Sequence, residues 1–280
     1  VCFSVRFSVP LFIRQSYFQT MKKSAFMLTA ALCAAFAATA RPPRAGETDR
    51  KLCDCICVLD ETKASPNKAG WAFWFIPKGA ADTLTVKMSS VYLLPGTHTP
   101  HSHNEDEGFY LAQGTAVVTL NGEERTIPAG SSFYCPGGST HCIRRAGEEP
   151  IRYVVIKRET VERLETVSEP ALKNYTVDDC IASPAPAGNL AQPYVYIGKE
   201  LSGGMNVRME SLPPGDETGK EYRLPQQEAF YVVEGTAEVR LDGERERIGP
   251  NTSFYCPAGR LHGIRNAGTE PLRYLVIRTR

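Results

Sequence analysis

The fold is decided by a segment that occurs twice in the chain: residues 107–120 read EGFYLAQGTAVVTL, and residues 228–241 read EAFYVVEGTAEVRL. The match runs without a gap over 107–157 and 228–278, where 28 of the 51 aligned positions are identical. Shared composition does not produce identity at this level, so the chain contains a tandem duplication.

Each copy has the pattern of short β-strands joined by tight turns. The alternating segment 115–120 leads into Asn121-Gly122, a pair typical of a two-residue hairpin turn, and Asp242-Gly243 holds the matching place in the second copy. The segments 153–156 and 274–277 are short, apolar and partly β-branched, as buried strands are. These features predict an all-β protein built from two barrels or sandwiches; only Glu159–Glu165 has a weak helical pattern.

The duplication also predicts the domain boundaries. We expect a first domain at 69–157 and a second domain at 191–280, with residues 41–68 as an N-terminal extension. Residues 158–190 end in SPAPAG at 183–188, a composition typical of a linker.

The segment ahead of the repeats has the order of a secretory signal peptide. Met21 is followed by Lys22 and Lys23, then by an apolar stretch at 25–38 and by the small-x-small cleavage pattern Ala38-Thr-Ala40. The apolar stretch is too short and too rich in alanine to suit a membrane span. We therefore expect export to the periplasm or the extracellular space, with no membrane attachment after cleavage.

Two details of this leader bear on processing. Cys33 raises the alternative of a lipid anchor, but Leu32 before it does not suit the small residue that such sites require. Residues 1–20 contain no methionine and precede the good start at Met21, so we interpret residues 1–40 as leader and signal peptide and leave them out of the fold.

The charge of the chain limits the classes of partner. Basic and acidic residues nearly balance, with a formal net charge of +1, so no basic field is available to hold nucleic acid. The chain has only five histidines, and four of them fall within 98–141. This clustering favours a small-molecule or metal site.

Export also bears on the cysteines, because an oxidising compartment permits disulfides. Nine cysteines are present, and seven lie after residue 40, which leaves at least one unpaired thiol. Cys53, Cys55 and Cys57 alternate, so on a strand they would share one small apolar face; we prefer this interpretation to a disulfide between neighbours on one strand.

The chemistry of the first copy lies in two motifs. The first, residues 96–114, reads GTHTPHSHNEDEGFYLAQG and carries His101, His103 and Glu107. The second, residues 130–141, reads GSSFYCPGGSTH and ends at His141. His101 and His103 are two apart, so on a strand they would share a face, and Glu107 follows across a short turn at the start of the next strand.

Together the two motifs resemble the signature motifs of the cupin superfamily, and the resemblance covers both halves of the chain. It implies two tandem double-stranded β-helix, or jelly-roll, barrels of the cupin type-2 kind. One residue fewer than usual separates Gly96 from His101, and Arg145 stands where the family often has Asn; neither departure touches a ligand position.

The resemblance further implies one divalent transition metal in the first barrel, held by His101, His103, Glu107 and His141. Imidazole and carboxylate ligands suit Mn, Fe, Ni or Zn and do not choose among them. Four protein ligands on an octahedral ion leave two neighbouring positions for water, dioxygen or a chelating substrate.

The second copy keeps only half of this ligand set. The positions of His101 and His103 become Tyr222 and Leu224, whereas Glu228 and His262 remain. We expect this degenerate site to be metal-free and structural, or to use its cavity for an organic ligand. An alternative is that Glu221 or Gln227 completes an unusual metal site.

Several residues near the motifs have more than one interpretation. Strand parity predicts Phe109 as a cavity wall near the metal and leaves Arg145 as either a substrate contact or a solvated strand end. His98, Glu105 and Asp106 are expected in surface loops or turns. Cys135 and the equivalent Cys256 are expected as small core residues rather than catalytic ones.

The cupin resemblance implies a menu of reactions that includes dioxygenases, decarboxylases, isomerases, lyases and aminohydrolases. We expect a metal-dependent enzyme on a small oxygen-rich substrate. One alternative is a non-catalytic cupin that binds a small molecule or carbohydrate; another is a protein whose metal only stabilises the first barrel. A homodimer is left open, and the extension 45–68 could supply a strand to a neighbouring subunit.

Overall fold

The computed structural model describes residues 49–67, 70–77, 80–81, 84–91, 99–158, 175–216 and 221–279. The expected leader and signal peptide, His98, and the weak helical stretch at 159–165 lie outside these residues. Within them, helical structure is limited to three short 3₁₀ turns, at Leu52–Cys55, Glu61–Lys63 and Asp178–Cys180. No helix among the described residues is long and apolar enough to cross a membrane.

The remaining regular structure is β, which confirms the predicted all-β class. In chain order the strands are β1 (Ile56–Val58), β2 (Ser65–Asn67), β3 (Gly70–Ile76), β4 (Leu84–Val91), β5 (Glu107–Gln113), β6 (Thr115–Leu120), β7 (Glu123–Pro128), β8 (Ser132–Cys135), β9 (His141–Arg145), β10 (Ile151–Arg158), β11 (Ile181–Ala182), β12 (Tyr194–Ile197), β13 (Met205–Leu212), β14 (Glu228–Glu234), β15 (Ala237–Leu241), β16 (Glu244–Ile248), β17 (Thr252–Cys256), β18 (His262–Asn266) and β19 (Leu272–Thr279).

Each domain packs a large sheet against a three-stranded sheet, in a jelly-roll arrangement. The first domain has the orders β11-β8-β5-β10-β4-β3-β2 and β7-β6-β9, and the second has β1-β17-β14-β19-β13-β12 and β16-β15-β18. The predicted hairpin of each domain forms as expected. Asn121 and Asp242 take positive φ angles of 49° and 46°, and the glycine after each has a φ angle of 91°. Such turns match the twist of the strands they join.

The two large sheets also face each other, so their central strands are buried on both faces. Along β5, Phe109 and Leu111 point into the first barrel, while Gly108 and Tyr110 face the second domain. A Cβ on Gly108 would lie 2.6 Å from Cδ1 of Ile197, so only glycine allows this approach. This double burial explains the uninterrupted apolar strands of the sequence.

The segments ahead of the two domains are exchanged between them. β1, from the N-terminal extension, pairs with β17 of the second domain, and β11, from the predicted linker, pairs with β8 of the first. The 3₁₀ turn before each strand ends in a buried cysteine, Cys55 or Cys180. Each domain is therefore completed by the segment that precedes the other. The strand that could have served a neighbouring subunit pairs within its own chain.

The expectation for the three alternating cysteines is wrong. Cys53 and Cys55 lie in a 3₁₀ turn and not on a strand, so Cys53 is exposed and Cys55 is buried, while Cys57 is partly buried in β1. The reason is that Leu52 and Cys55 turn together into the second domain's core. All seven cysteines of the described residues are free thiols, including the buried Cys135 and Cys256.

Candidate metal centre

Glu107 is the first residue of β5 and lies between two neighbouring strands. It pairs with Cys135 of β8 on one side and Lys157 of β10 on the other. Because side chains alternate along a strand, Glu107 points into the barrel with Phe109 and is only 3% exposed. A carboxylate buried to this degree requires charged or hydrogen-bonding partners.

His101 and His103 reach the same place from the loop before β5. The prediction that they share a strand face is wrong, because His101 forms an isolated bridge with His141 and residues 102–106 are irregular. The backbone N–H of His101 donates to the carbonyl of His141 at 3.1 Å, and Gly138 donates to the carbonyl of His103 at 2.7 Å. The loop is thus held against the start of β9.

The four predicted ligands converge inside the first barrel. One candidate ligand atom from each of His101, His103, Glu107 and His141 lies within 4.8 Å of the others. Nε2 of His141 lies 3.0 Å from Oε2 of Glu107, and Nε2 of His103 lies 3.2 Å from the same oxygen. His101 is exposed whereas His141 is 1% exposed, so the cluster opens toward solvent on the His101 side.

Backbone carbonyls set the orientation of two of these rings. Nδ1 of His103 donates to the carbonyl of Glu105 at 2.8 Å, and Nδ1 of His141 donates to that of Ser139 at 3.0 Å. Nε2 of each ring is then the atom that faces Glu107. In metal sites the same kind of hydrogen bond to one ring nitrogen orients the other nitrogen toward the metal. Imidazole nitrogens that converge with a carboxylate are ligands that mid-row divalent ions take, so the donor set fits a divalent metal.

Lys157 is a site residue that the sequence analysis missed. Its Nζ lies 3.2 Å from Oε1 of Glu107 and 3.2 Å from Nε2 of His103, and its side chain is 28% exposed. An ammonium group has only donors, so it donates to both acceptors. The available signal was a cation at the end of the last strand in both copies, since Arg278 holds the equivalent position.

The electrostatics keep Glu107 ionised. Burial alone raises the pKa of Glu107, but the rings of His103 and His141 and the charge of Lys157 outweigh burial and hold this pKa well below its usual range. A carboxylate must be deprotonated to bind a metal ion, so the site is prepared for one.

The two residues predicted as substrate contacts lie in different surroundings. The Phe109 ring stands 6.4 Å from the ring of His141 and stacks on Phe133, with centroids 5.9 Å apart, so it forms an apolar wall beside the cluster. Arg145 lies four residues from His141 along β9, about 13 Å at the rise of a strand. It is 6% exposed and donates to the carbonyl of Glu148, so it is neither a solvated strand end nor placed at the cluster.

Asp106 is a second residue that the sequence analysis misjudged, because it was expected in a solvated turn. Oδ1 of Asp106 accepts a hydrogen bond from the N–H of Gly137 at 3.1 Å, and Oδ2 accepts one from Ser202 Oγ, also at 3.1 Å. It therefore joins the two motif loops to the second domain. No sequence signal pointed to this bond, because Ser202 lies outside the repeated segment.

The second barrel has a different arrangement at the equivalent place. Tyr222 bridges to His262 as His101 bridges to His141, and Leu224 accepts from Gly259 at 2.7 Å as His103 accepts from Gly138. Tyr222 and Leu224 therefore hold the backbone positions in the second barrel that His101 and His103 hold in the first. Among the described residues, the only cluster that could hold a metal ion is the one in the first barrel.

Glu228 of this site is neutralised by protein groups. Tyr222 Oη donates to Oε2 of Glu228 at 2.6 Å, Nε2 of His262 lies 3.1 Å from the same oxygen, and Nε of Arg278 donates to Oε1. The guanidinium thus supplies the positive charge that a metal would supply in the first barrel.

The alternative in which Glu221 or Gln227 completes the second site is wrong. Glu221 is exposed, and Gln227 points to the opposite face of β14 from its neighbour Glu228. There the Gln227 amide donates to Thr279 at 3.2 Å and accepts from Tyr255 at 3.0 Å.

A family model described as a cupin domain matches residues 90–157 and 208–278, one match in each half of the chain. Among curated proteins, a mannose-1-phosphate guanylyltransferase of Escherichia coli is 33% identical over 73 residues, which cover 26% of this chain and 15% of that protein. An uncharacterised protein of Methanocaldococcus jannaschii is 28% identical over 86 residues, 31% of this chain and 66% of that protein. The matches cover between 15% and 33% of the length of these guanylyltransferases.

Solved structures share the architecture of both halves. The protein Ylba of E. coli matches with a TM-score of 0.61 and 15% identity over 80% of this chain and 90% of that one. A Trp-to-Tyr mutant of Bacillus subtilis oxalate decarboxylase matches with a TM-score of 0.57 and 19% identity over 80% and 77%. At these identities the likeness establishes the fold alone.

Proposed function

Because the chain carries two tandem cupin domains, we propose that it is an exported mononuclear metal enzyme that acts on a small oxygen-rich substrate. The observation that carries this proposal is the convergence of His101, His103, Glu107 and His141, whose ligand atoms lie within 4.8 Å of one another. The cofactor would be one Mn, Fe, Ni or Zn ion per chain.

A divalent ion bound there would supply Lewis-acid or redox chemistry to a substrate oxygen. The residues around it divide the remaining tasks. Phe109 and Phe133 exclude water on the inner side, and the exposed His101 marks the side from which a substrate enters. Lys157 carries the nearest side-chain positive charge, 3.2 Å from Glu107, and would hold a negatively charged substrate group.

A cation in this position favours a substrate with a carboxylate. Among dioxygenase, decarboxylase and isomerase reactions, we therefore place the reactions of small organic acids first. The name of the B. subtilis relative, an oxalate decarboxylase, supports this choice only as a fold-level analogy.

A second candidate is a non-catalytic cupin that captures a small molecule or carbohydrate. The guanylyltransferase relatives favour it, because their names concern a sugar phosphate and this chain matches 33% or less of their own length. In that case the metal would bind the ligand or stabilise the binding site, and no reaction would follow.

Export is supported by the charge, apolar core and cleavage pattern of residues 21–40. Sequencing of the protein recovered from the periplasm would test it, with residue 41 as the expected N-terminus. Recovery of an uncleaved chain from the cytoplasm would contradict the export proposal and leave the metal site untouched.

Elemental analysis of the untagged protein, followed by turnover assays, tests the function. We expect one metal equivalent per chain, and turnover of a small carboxylic acid, sugar acid or catechol that disappears in His101→Ala/His103→Ala. Binding without turnover would support the second candidate. If the double variant melts at a lower temperature but binds the ligand unchanged, the role of the metal is structural.

A further inference from the structure

A cavity of about 270 Å³ lies at the edge of the second barrel, and none of the predicted metal ligands lines it. Its polar lining comes from Lys199, Ser202, Asn206, Gln226, Arg278 and Thr279. No acidic side chain is among the lining residues. Its volume is near the lower end of ordinary small-molecule sites.

Arg278 gives this cavity its first positive charge. The Nε of Arg278 donates to Glu228 inside the barrel, and the guanidinium also contacts Tyr222, while the side chain remains 31% exposed and lines the cavity. A guanidinium presents donors in a planar fork that suits a carboxylate. The ion pair with Glu228 fixes the orientation of that fork.

Lys199 adds a second positive charge from the exposed turn before β13. Arg278 is paired with Glu228, whereas no acidic side chain lines the cavity beside Lys199.

We propose that this cavity binds a small organic carboxylate, with the carboxylate between Arg278 and Lys199. The site is separate from the metal centre of the first barrel and does not depend on the reaction proposed there. It gives the metal-free barrel a binding function of its own.

Calorimetric titration of the full chain with acetate, malonate and succinate, at constant pH and ionic strength, tests the proposal. The titration is carried out in His101→Ala/His103→Ala, so that carboxylates cannot bind through the metal. We expect at least one acid to bind at one site. Lys199→Met should weaken that binding about fivefold or more, as the loss of a charge-assisted contact does.

Two further variants sharpen the test. Gly203→Leu places a side chain where a Cβ meets nothing within 4 Å, and should abolish binding without removing a charge. Lys63→Met removes an exposed lysine far from the cavity lining and should leave binding unchanged.

Three outcomes would overturn the proposal. The first is that the metal-site double variant binds no carboxylate, and the second is that adding Lys199→Met or Gly203→Leu to it leaves the affinity unchanged. The third is that it binds phosphate but none of the carboxylates. Each can occur whether or not the first barrel proves to be an enzyme, so a failure here is distinct from a failure of the proposed function.

Discussion

The hydroxyl of Ser202, in the second domain, donates a 3.1 Å hydrogen bond to Oδ2 of Asp106, the residue next to the predicted ligand Glu107. Ser202 Oγ also accepts from the N–H of Met205 at 3.0 Å, so its position is fixed by the start of β13. One loop of the second domain therefore holds the motif loop of the first.

We expect Ser202→Ala to weaken metal binding by the first barrel about threefold to tenfold. Groups that orient ligands contribute to metal affinity, and Ser202 acts through Asp106, which neighbours the ligand Glu107. Competition with a fluorescent chelator measures the effect. Ser202→Thr should restore affinity, since it keeps the hydroxyl. Ser211→Ala, which removes a hydroxyl that bonds to Leu190 instead, is the matched control. Unchanged affinity in Ser202→Ala would exclude this positioning role.

His141 and His262 hold equivalent positions in the two copies and provide a matched pair of variants. His141→Ala should remove the metal, whereas His262→Ala should leave one equivalent per chain, as measured by elemental analysis. His262→Ala takes one partner from the buried Glu228 and should cost about 1–3 kcal/mol of stability. Loss of a metal equivalent in His262→Ala would disprove the single-site interpretation.

The buried Glu228 should make the stability of the second barrel depend on pH. Burial alone raises the pKa of Glu228, but its contacts with His262 and Tyr222 and the charge of Arg278 hold it below the ordinary value of 4.5. Because the folded pKa is the lower one, this contribution is present above about pH 4.5 and is lost as the pH falls through the folded value.

The isosteric variant Glu228→Gln isolates this effect. It should be less stable than the wild type near neutral pH and should lose less stability on acidification. Melting temperatures from about pH 7 to about pH 3, with a chelator in every sample, keep metal release out of the comparison. Parallel curves for the two proteins would mean that Glu228 does not contribute.

Arg145 should be dispensable both for metal binding and for contact with a substrate. Its counterpart in the second copy, Asn266, donates to the carbonyls of Leu212, Pro213 and Glu270, at 2.7 to 3.1 Å. We expect Arg145→Asn to keep metal affinity and any turnover within about twofold of the wild type and to change chiefly thermal stability. A selective rise in KM with an unchanged melting temperature would return Arg145 to the substrate site.

Much of the centre could be predicted because it rests on local pattern. Strand parity places Glu107 and Phe109 on one face, and the repeat aligns Tyr222 with His101. Lys157 was missed because its role depends on pairing between β10 and β5, which joins residues 50 positions apart in the chain. The bond from Asp106 to Ser202 was missed for the same reason.

A short sequence repeat marks the two exchanged segments that contain β1 and β11. Asp54-Cys-Ile56 and Asp179-Cys-Ile181 are a short repeat outside the main duplication, and both segments form a 3₁₀ turn followed by a strand. Three shared residues suggest a repeated element but do not say which sheet it joins.

The sequence by itself determined the duplication, the all-β class, the hairpin turns and the four candidate ligands, because each follows from spacing along the chain. Only the tertiary structure decided that β1 and β11 cross between domains, that Lys157 and Arg278 neutralise the buried glutamates, and that Ser202 holds Asp106. These depend on which sheet faces pack together, and burial of apolar surface settles that packing over the whole molecule rather than within any one segment.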